Sequence, residues 1–196
     1  MLSEDQQAIE QVLRGESEAY ALIVDRYQRR LLGLLLHASG DAELSEDIAQ
    51  EAFVRAYQKL AMFSGESQFY TWLARIAMNL FFSDRRRKRL ENQVRREGLE
   101  VALDGGEIAN RHGDAPPDQQ LELSETQQCV RQAIEQLDEE RRLVVILRDF
   151  DGMDYDTIAE TLQIPVGTVR SRLHRARLEL RTILQRKAVQ LGLSSQ

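Results

Sequence analysis

Residues 154–177 read DYDTIAETLQIPVGTVRSRLHRAR, and the punctuation of this stretch decides the fold. Asp154 offers a carboxylate to cap a helix, and Ile158, Ala159 and Leu162 follow at helical spacing. Leu162-Gln163-Ile164-Pro165 then breaks the period as a turn. A second helix starts at Pro165 or Val166, because proline's fixed φ suits a first helical turn. Ala159 is small where the two helices must cross, Leu162 and Ile164 flank the turn, and Val169 points inward from the second helix. Together these features predict a helix-turn-helix.

The outer face of the second helix carries Thr168, Arg170, Ser171, Arg172, His174, Arg175, Arg177 and Arg181, against one acid, Glu179. Arginine pairs with phosphates and reads guanine edges through two parallel hydrogen bonds. Thr168 and Ser171 add short donors near the helix start, where a phosphate also meets backbone amides. A solvated charged face has the same composition. The joint occurrence of the turn, the small crossing residue and the arginine bias favours DNA, although a helix-turn-helix by itself fits most classes of regulator.

Outward from this motif, nearly every segment is helical in period, and no stretch alternates long enough to predict a sheet. The chain has 196 residues, with 42% hydrophobic and 30% charged, 11 Gly and 3 Pro, as in an ordinary globular protein. Leu143 to Leu147 is apolar all round and predicts burial. Ser3-Glu4-Asp5-Gln6 reads as a capping box, Ser17 as a cap for a second helix, and a third helix is expected from about Ser45 to Leu60. Between residues 97 and 125 acids dominate and Gly105-Gly106 and Pro116-Pro117 intervene, which predicts a flexible acidic linker. The expected class is all-α, in two small helical domains: 1–95, a linker 96–123, and 124–196 with the helix-turn-helix.

The first half holds two further constellations. Asp47, Gln50 and Glu51 lie at i, i+3 and i+4 on one helical face, opposite an apolar face of Ala49, Phe53, Ala56 and Leu60. That ridge suits docking on a basic partner, and equally fits a plain solvated face. Next comes Phe63-Ser64-Gly65-Glu66-Ser67-Gln68-Phe69-Tyr70-Thr71-Trp72-Leu73. Of the chain's six Phe, five Tyr and one Trp, four fall here around a Gly/Ser loop. Arg75, Asn79 and the run Arg85 to Arg89 follow. Rings beside cations are what unpaired bases need, stacking for the base and charge for its backbone, and a polar loop between rings can receive an extruded base. Core packing remains an alternative for Phe69 and Trp72.

Three strings carry a family resemblance: Asp47-Ile48-Ala49-Gln50-Glu51-Ala52-Phe53, then Phe69-Tyr70-Thr71-Trp72-Leu73 with Ile76-Ala77-Met78-Asn79, and Pro165-Val166-Gly167-Thr168-Val169-Arg170-Ser171-Arg172. In this order and spacing they resemble the extracytoplasmic-function sigma factors, in their envelope-stress, sigma-E-like branch. The resemblance implies an alternative sigma factor that binds core RNA polymerase and directs it to promoters. It places Asp47, Gln50, Glu51, Phe53 and Arg55 on the clamp helices of the largest polymerase subunit. Phe63, Ser67, Phe69, Tyr70, Trp72, Arg75 and Asn79 would recognise and open the −10 DNA. Arg148, Tyr155, Thr168, Arg170, Ser171, Arg172, His174, Arg175 and Arg177 would meet the −35 element. It further implies contact with the flap of the second-largest subunit and control by an anti-sigma factor. Ser64 stands where the branch commonly has a basic residue, and Asp154 where it commonly has Ser.

The formal net charge is −6, so binding DNA requires locally concentrated cations. The single cysteine, Cys129, has no intramolecular disulfide partner. His37, His112 and His174 lack metal-ligand spacing and there is no nucleotide-binding glycine loop, so neither a metal, a cofactor nor enzyme activity is expected. The Met1-Leu2-Ser3-Glu4 start lacks a signal-peptide pattern, and the most apolar run, Leu31 to Ala38, is short against the roughly 20 residues of a membrane span. A cytoplasmic protein, not membrane-embedded, is expected. Two other readings stay open: a dimeric helix-turn-helix regulator working without polymerase, and a sigma-like interaction protein inactive in transcription.

Overall fold

The computed structural model describes residues 3–99 and 125–190. Among them are eight α-helices and no strand. The chain divides into two compact units, Met1–Asp114 and Ala115–Gln196. The acidic segment expected at 96–123 lies, from residue 100 on, outside the described residues.

The first unit comprises α1 (Glu4–Leu13), α2 (Tyr20–Ser39), α3 (Ala42–Gln58) and α4 (Phe69–Leu99). Its helices begin where side chains satisfy otherwise unpaired amides. Ser3 and Gln6 form the expected reciprocal box on α1. Helix α3 begins earlier than the expected start near Ser45, with Asp41 capping it by accepting from the Leu44 amide at 3.1 Å. Ser45 is instead buried one turn in, donating to the Asp41 carbonyl at 2.6 Å. Ser17 opens a short 3-10 turn, Ser17–Ala19, and α2 follows it without a side-chain cap. Helix α3 stops at Gln58, and a second 3-10 turn, Leu60–Met62, leads into the aromatic loop. Helices α2, α3 and α4 pack mutually around Ile23, Leu31, Leu35, Ala52, Ala56, Leu73, Ala77 and Phe81, all buried. Alanines at 52, 56, 74 and 77 let the helix axes approach closely. Each fully buried Leu or Phe stabilises the unit by about 1.5–3 kcal/mol. Helix α4 is 31 residues long and passes the expected domain boundary at 95.

The second unit comprises α5 (Glu125–Glu135), α6 (Glu139–Val145), α7 (Tyr155–Leu162) and α8 (Val166–Gln190). Leu143, Val144, Val145, Ile146 and Leu147 are all buried, as their unbroken apolar run predicts. The helix is not regular throughout: residues Ile146–Phe150 form a π-helical turn, and Gly152 leaves it at φ 71°. Helices α7 and α8 form the expected helix-turn-helix. Asp154 caps α7 through the Thr157 amide at 2.7 Å, and Gln163 closes it at φ 55°. Ala159 is buried at the crossing, beside Ile158, Val169, Leu173 and Ala176. Among the described residues no helix is long and apolar enough to cross a membrane.

Candidate nucleic-acid and polymerase interfaces

Helix α8 has an internal geometry that sorts its cations. Val169, Leu173 and Ala176, at i, i+4 and i+7, are buried and define the inner stripe. Thr168, Ser171 and Arg175, at i, i+3 and i+7, fall on the far side, with His174 beside them; Ser171, His174 and Arg175 are exposed. The Ser171 hydroxyl donates back to the Thr168 carbonyl at 3.0 Å. Arg172 and Arg177 lie on the flanks. Arg172 pairs with Glu140 of α6 at 2.5 Å, and Arg177 pairs with Asp149 of the π-helical turn. The Asp149 carboxylate holds the Arg177 guanidinium above its ordinary pKa, more than offsetting the opposing effect of burial. The sequence suggests one cationic face with a single acid; the fold supplies two further carboxylates from distant positions.

Arg148 and Tyr155 are brought to the same end of this motif. The Arg148 guanidinium donates to the Met153 carbonyl at 2.7 Å and lies 5.1 Å from the Tyr155 ring centroid. Arg170 approaches the same ring at 5.8 Å. Two guanidiniums therefore lie within reach of the Tyr155 ring, each attracted to its π-system. The π-helical turn makes this possible by presenting Arg148 toward α7 and Asp149 toward α8. No local sequence signal marks that turn, since its residues have ordinary helical period.

In the first unit the predicted ring segment is assembled, but its members differ in burial. Phe69 and Tyr70 are each 2% exposed. Their rings belong to the core, which corrects the expectation that they face DNA. Helical phase is the reason: both lie one turn before Leu73 and Ala74, which face α2 and α3. Phe63 and Trp72 are half-buried, with centroids 5.3 Å apart, and each packs against Phe69 at 5.6 Å. Tyr27 of α2 joins the cluster, 6.0 Å from Phe69 and 5.5 Å from Tyr70. Its hydroxyl donates to Asp5; burial first, and this bond second, push its pKa up to about 12. Ser67 and Arg75 are half-buried, and Asn79 is exposed one turn beyond Arg75. Tyr27 was not legible in the sequence as a member, because it lies some forty positions from its ring partners.

On α3, Asp47, Gln50 and Glu51 are all exposed, and Arg55 donates to Glu51 at 2.6 Å. Phe53 is 8% exposed and faces the core, which corrects its expected place on the docking face. Its carbonyl accepts the Tyr20 hydroxyl at 2.7 Å. The exposed stripe continues from Asp47 and Gln50 through Val54 and Tyr57, both partly uncovered apolar side chains.

Comparison with known proteins finds both units. Residues 23–91 match the family described as Sigma-70 region 2, and residues 127–180 match Sigma-70, region 4. The RNA polymerase sigma-H factor of Pseudomonas aeruginosa is 41% identical over 185 residues, covering 93% of this chain and 94% of its own. The ECF RNA polymerase sigma-E factor of Escherichia coli K12 is 39% identical over 181 residues, covering 88% of this chain and 90% of its own. Among solved structures, the sigma factor RpoE of Bartonella quintana, in complex with the anti-sigma factor NepR, superposes with a TM-score of 0.64 at 24% identity, covering 85% of this chain and 96% of that one.

Proposed function

The chain belongs to the extracytoplasmic-function, sigma-E-like branch of the sigma-70 family, and from that membership we propose how its two units divide the recognition of a promoter. It is an alternative sigma factor that directs RNA polymerase in transcription initiation. In our reading the second unit reads the −35 element. Thr168, Ser171, His174 and Arg175 face the base edges, Arg170 is held beside them by Tyr155, and Arg148 meets the backbone. Arg172 and Arg177, being ion-paired on the flanks, hold α8 in place and contribute field rather than readout.

The first unit engages the −10 DNA. Trp72 and Phe63 offer half-buried rings packed against Phe69, the loop from Ser64 to Ser67 receives an extruded base, and Arg75 and Asn79 continue the contact along α4. The α3 stripe of Asp47, Gln50 and the Glu51–Arg55 pair docks on the clamp helices of the largest polymerase subunit, with the second unit against the flap of the second-largest. The acidic residues 96–123 join the two domains, 1–95 and 124–196. The protein works in the cytoplasm alongside polymerase and carries out no chemical step of its own. An anti-sigma factor, of the kind bound to the Bartonella quintana relative, would cover the same α3 stripe; a candidate that bound this chain without displacing core polymerase would contradict that part.

The observation that carries this reading is the coexistence, in one chain, of a ring cluster built around Trp72 and a helix-turn-helix with an arginine-rich outer face. Permanganate footprinting of the holoenzyme tests the division of labour. Trp72→Ala should lose reactive thymines in the −10 segment while keeping most of the closed complex. An unchanged open complex would contradict it.

A further inference from the structure

We propose that Arg86, on the outer face of α4, binds a backbone phosphate of the promoter DNA adjoining the −10 element; the inference rests on the reading of that face as the −10 site. The buried side of α4 is set by Ala74, Ala77, Met78 and Phe81. Trp72, Asn79 and Arg86 follow one another at seven-residue intervals, each nearly two full helical turns. They therefore share one face, on the side away from the buried residues. Trp72 is half-buried, whereas Asn79 and Arg86 are exposed. Arg86 lies about 21 Å along the helix from Trp72, at about 1.5 Å per residue. It is too far to serve the base at the ring cluster and is placed for a neighbouring stretch of DNA.

The basic residues from Arg85 to Arg89 are not equivalent. Arg87 and Lys88 both pair with Asp84, at 2.8 and 3.0 Å, and Arg87 also approaches Glu91 at 3.9 Å. The Arg85 guanidinium lies 5.5 Å from the ring centroid of Phe81. Arg86 and Arg89 are exposed and make no ion pair among the described residues. The residues one turn to either side of Arg86 are Phe82, Ser83, Arg89 and Leu90, none of them acidic. No carboxylate on the helix is therefore spaced to neutralise it. Arg89 adds a second cation instead, and like charges that are neighbours on a helix surface repel. A phosphate between them relieves that repulsion, and a guanidinium matches a phosphate in shape as well as in charge. In a chain of net charge −6, this is a local concentration of uncompensated positive charge. An arginine serving only solubility suits any exposed face, whereas Arg86 falls on the one that carries Trp72 and Asn79.

The test compares holoenzymes reconstituted with the full-length wild type, Arg86→Gln, Arg86→Lys and Arg87→Gln, on one promoter across a salt titration. Arg87→Gln removes the same charge from the same run, but at a residue already paired with Asp84. Loss of one phosphate contact should reduce the slope of log K against log salt by about one. We expect that reduction for Arg86→Gln, with several-fold weaker promoter binding near physiological salt, and a near-wild-type slope for Arg86→Lys and Arg87→Gln. Promoters carrying single neutral methylphosphonate linkages then locate the contact. At least one linkage beside the −10 element should weaken binding of the wild type and leave Arg86→Gln unaffected, because the two changes remove the same interaction. A wild-type slope in Arg86→Gln, equal reductions in Arg86→Gln and Arg87→Gln, or no such linkage beside the −10 element would overturn the proposal. Permanganate footprinting of Trp72→Ala tests the underlying reading separately. If that variant opens DNA normally while the slope and linkage results hold, the Arg86 contact stands and the ring-cluster reading falls. If the wild-type holoenzyme binds no promoter, both fall.

Discussion

Arg172, Arg175 and Arg177 occupy one helix within six positions, and the fold gives them different work. Arg175 is exposed on the outer stripe, while Arg172 and Arg177 answer Glu140 and Asp149. Arg175→Ala should therefore cost about 1–3 kcal/mol of discrimination at one −35 base pair, measured as holoenzyme affinity for promoters with single −35 changes. Arg177→Ala should leave the −35 preference intact and lower stability by only about 0.2–1 kcal/mol, because its pair is solvent-exposed. Equal loss of base preference in both variants would contradict this assignment. Asp154 gives a pH prediction at the same scale. The Thr157 amide bonded to its carboxylate holds its pKa below the ordinary 3.8, with burial working in the other direction. A depressed folded-state pKa contributes stability above the unfolded value, and that contribution is lost as pH falls through the folded one. Below about pH 4 the wild type should lose stability more steeply than Asp154→Asn, which keeps a capping oxygen that does not titrate. Parallel acid titrations by circular dichroism would check it, and identical steepness would contradict it.

Among the elements, the helix-turn-helix was legible because local chemistry alone specifies it. A capping aspartate, a small crossing residue, a proline and an arginine-rich face all sit within residues 154–177. The turn nonetheless contains one feature with no local mark: Gln163 adopts φ 55°, a region that costs a side chain about 1–2 kcal/mol. Gln163→Val should destabilise the chain, because a β-branched side chain tolerates this region still less than glutamine does. Gln163→Gly should range from neutral to about 1 kcal/mol stabilising, because glycine's freedom in the unfolded chain offsets the relief. Thermal unfolding measures both, and a stabilising valine would show that the turn is not held in this conformation. The π-helical turn at Ile146–Phe150 escaped the sequence for a related reason. Its side chains have helical period, and only tertiary partners, Tyr155 for Arg148 and Arg177 for Asp149, give it a distinct geometry. In α4 the sequence displays the rings and the cations but not their phase. Phe69 and Tyr70 turn inward because the helix must bury Leu73, Ala74 and Ala77, and the half-exposed Trp72 falls between those positions.

At the scale of the whole molecule, a net charge of −6 is set against two local concentrations of arginine. Such a protein should bind DNA weakly when free, because long-range repulsion opposes the local contacts. In the proposed reading, core polymerase would change this by holding both units on one template, so that the second contact is made at high effective concentration. The family was legible from three short strings. The fold adds which of their side chains remain at the surface, and this placement depends on packing between residues far apart in the chain, such as Tyr27 with Phe69 and Tyr20 with Phe53. The most direct test of the account is run-off transcription by purified core enzyme, with and without this protein, on templates carrying intact, −35-altered, −10-altered and doubly altered promoters. Transcripts should require the added protein and fall more than tenfold when either element is altered, since about 1.4 kcal/mol corresponds to each factor of ten. No transcript from any template, or equal transcription from intact and doubly altered promoters, would contradict it.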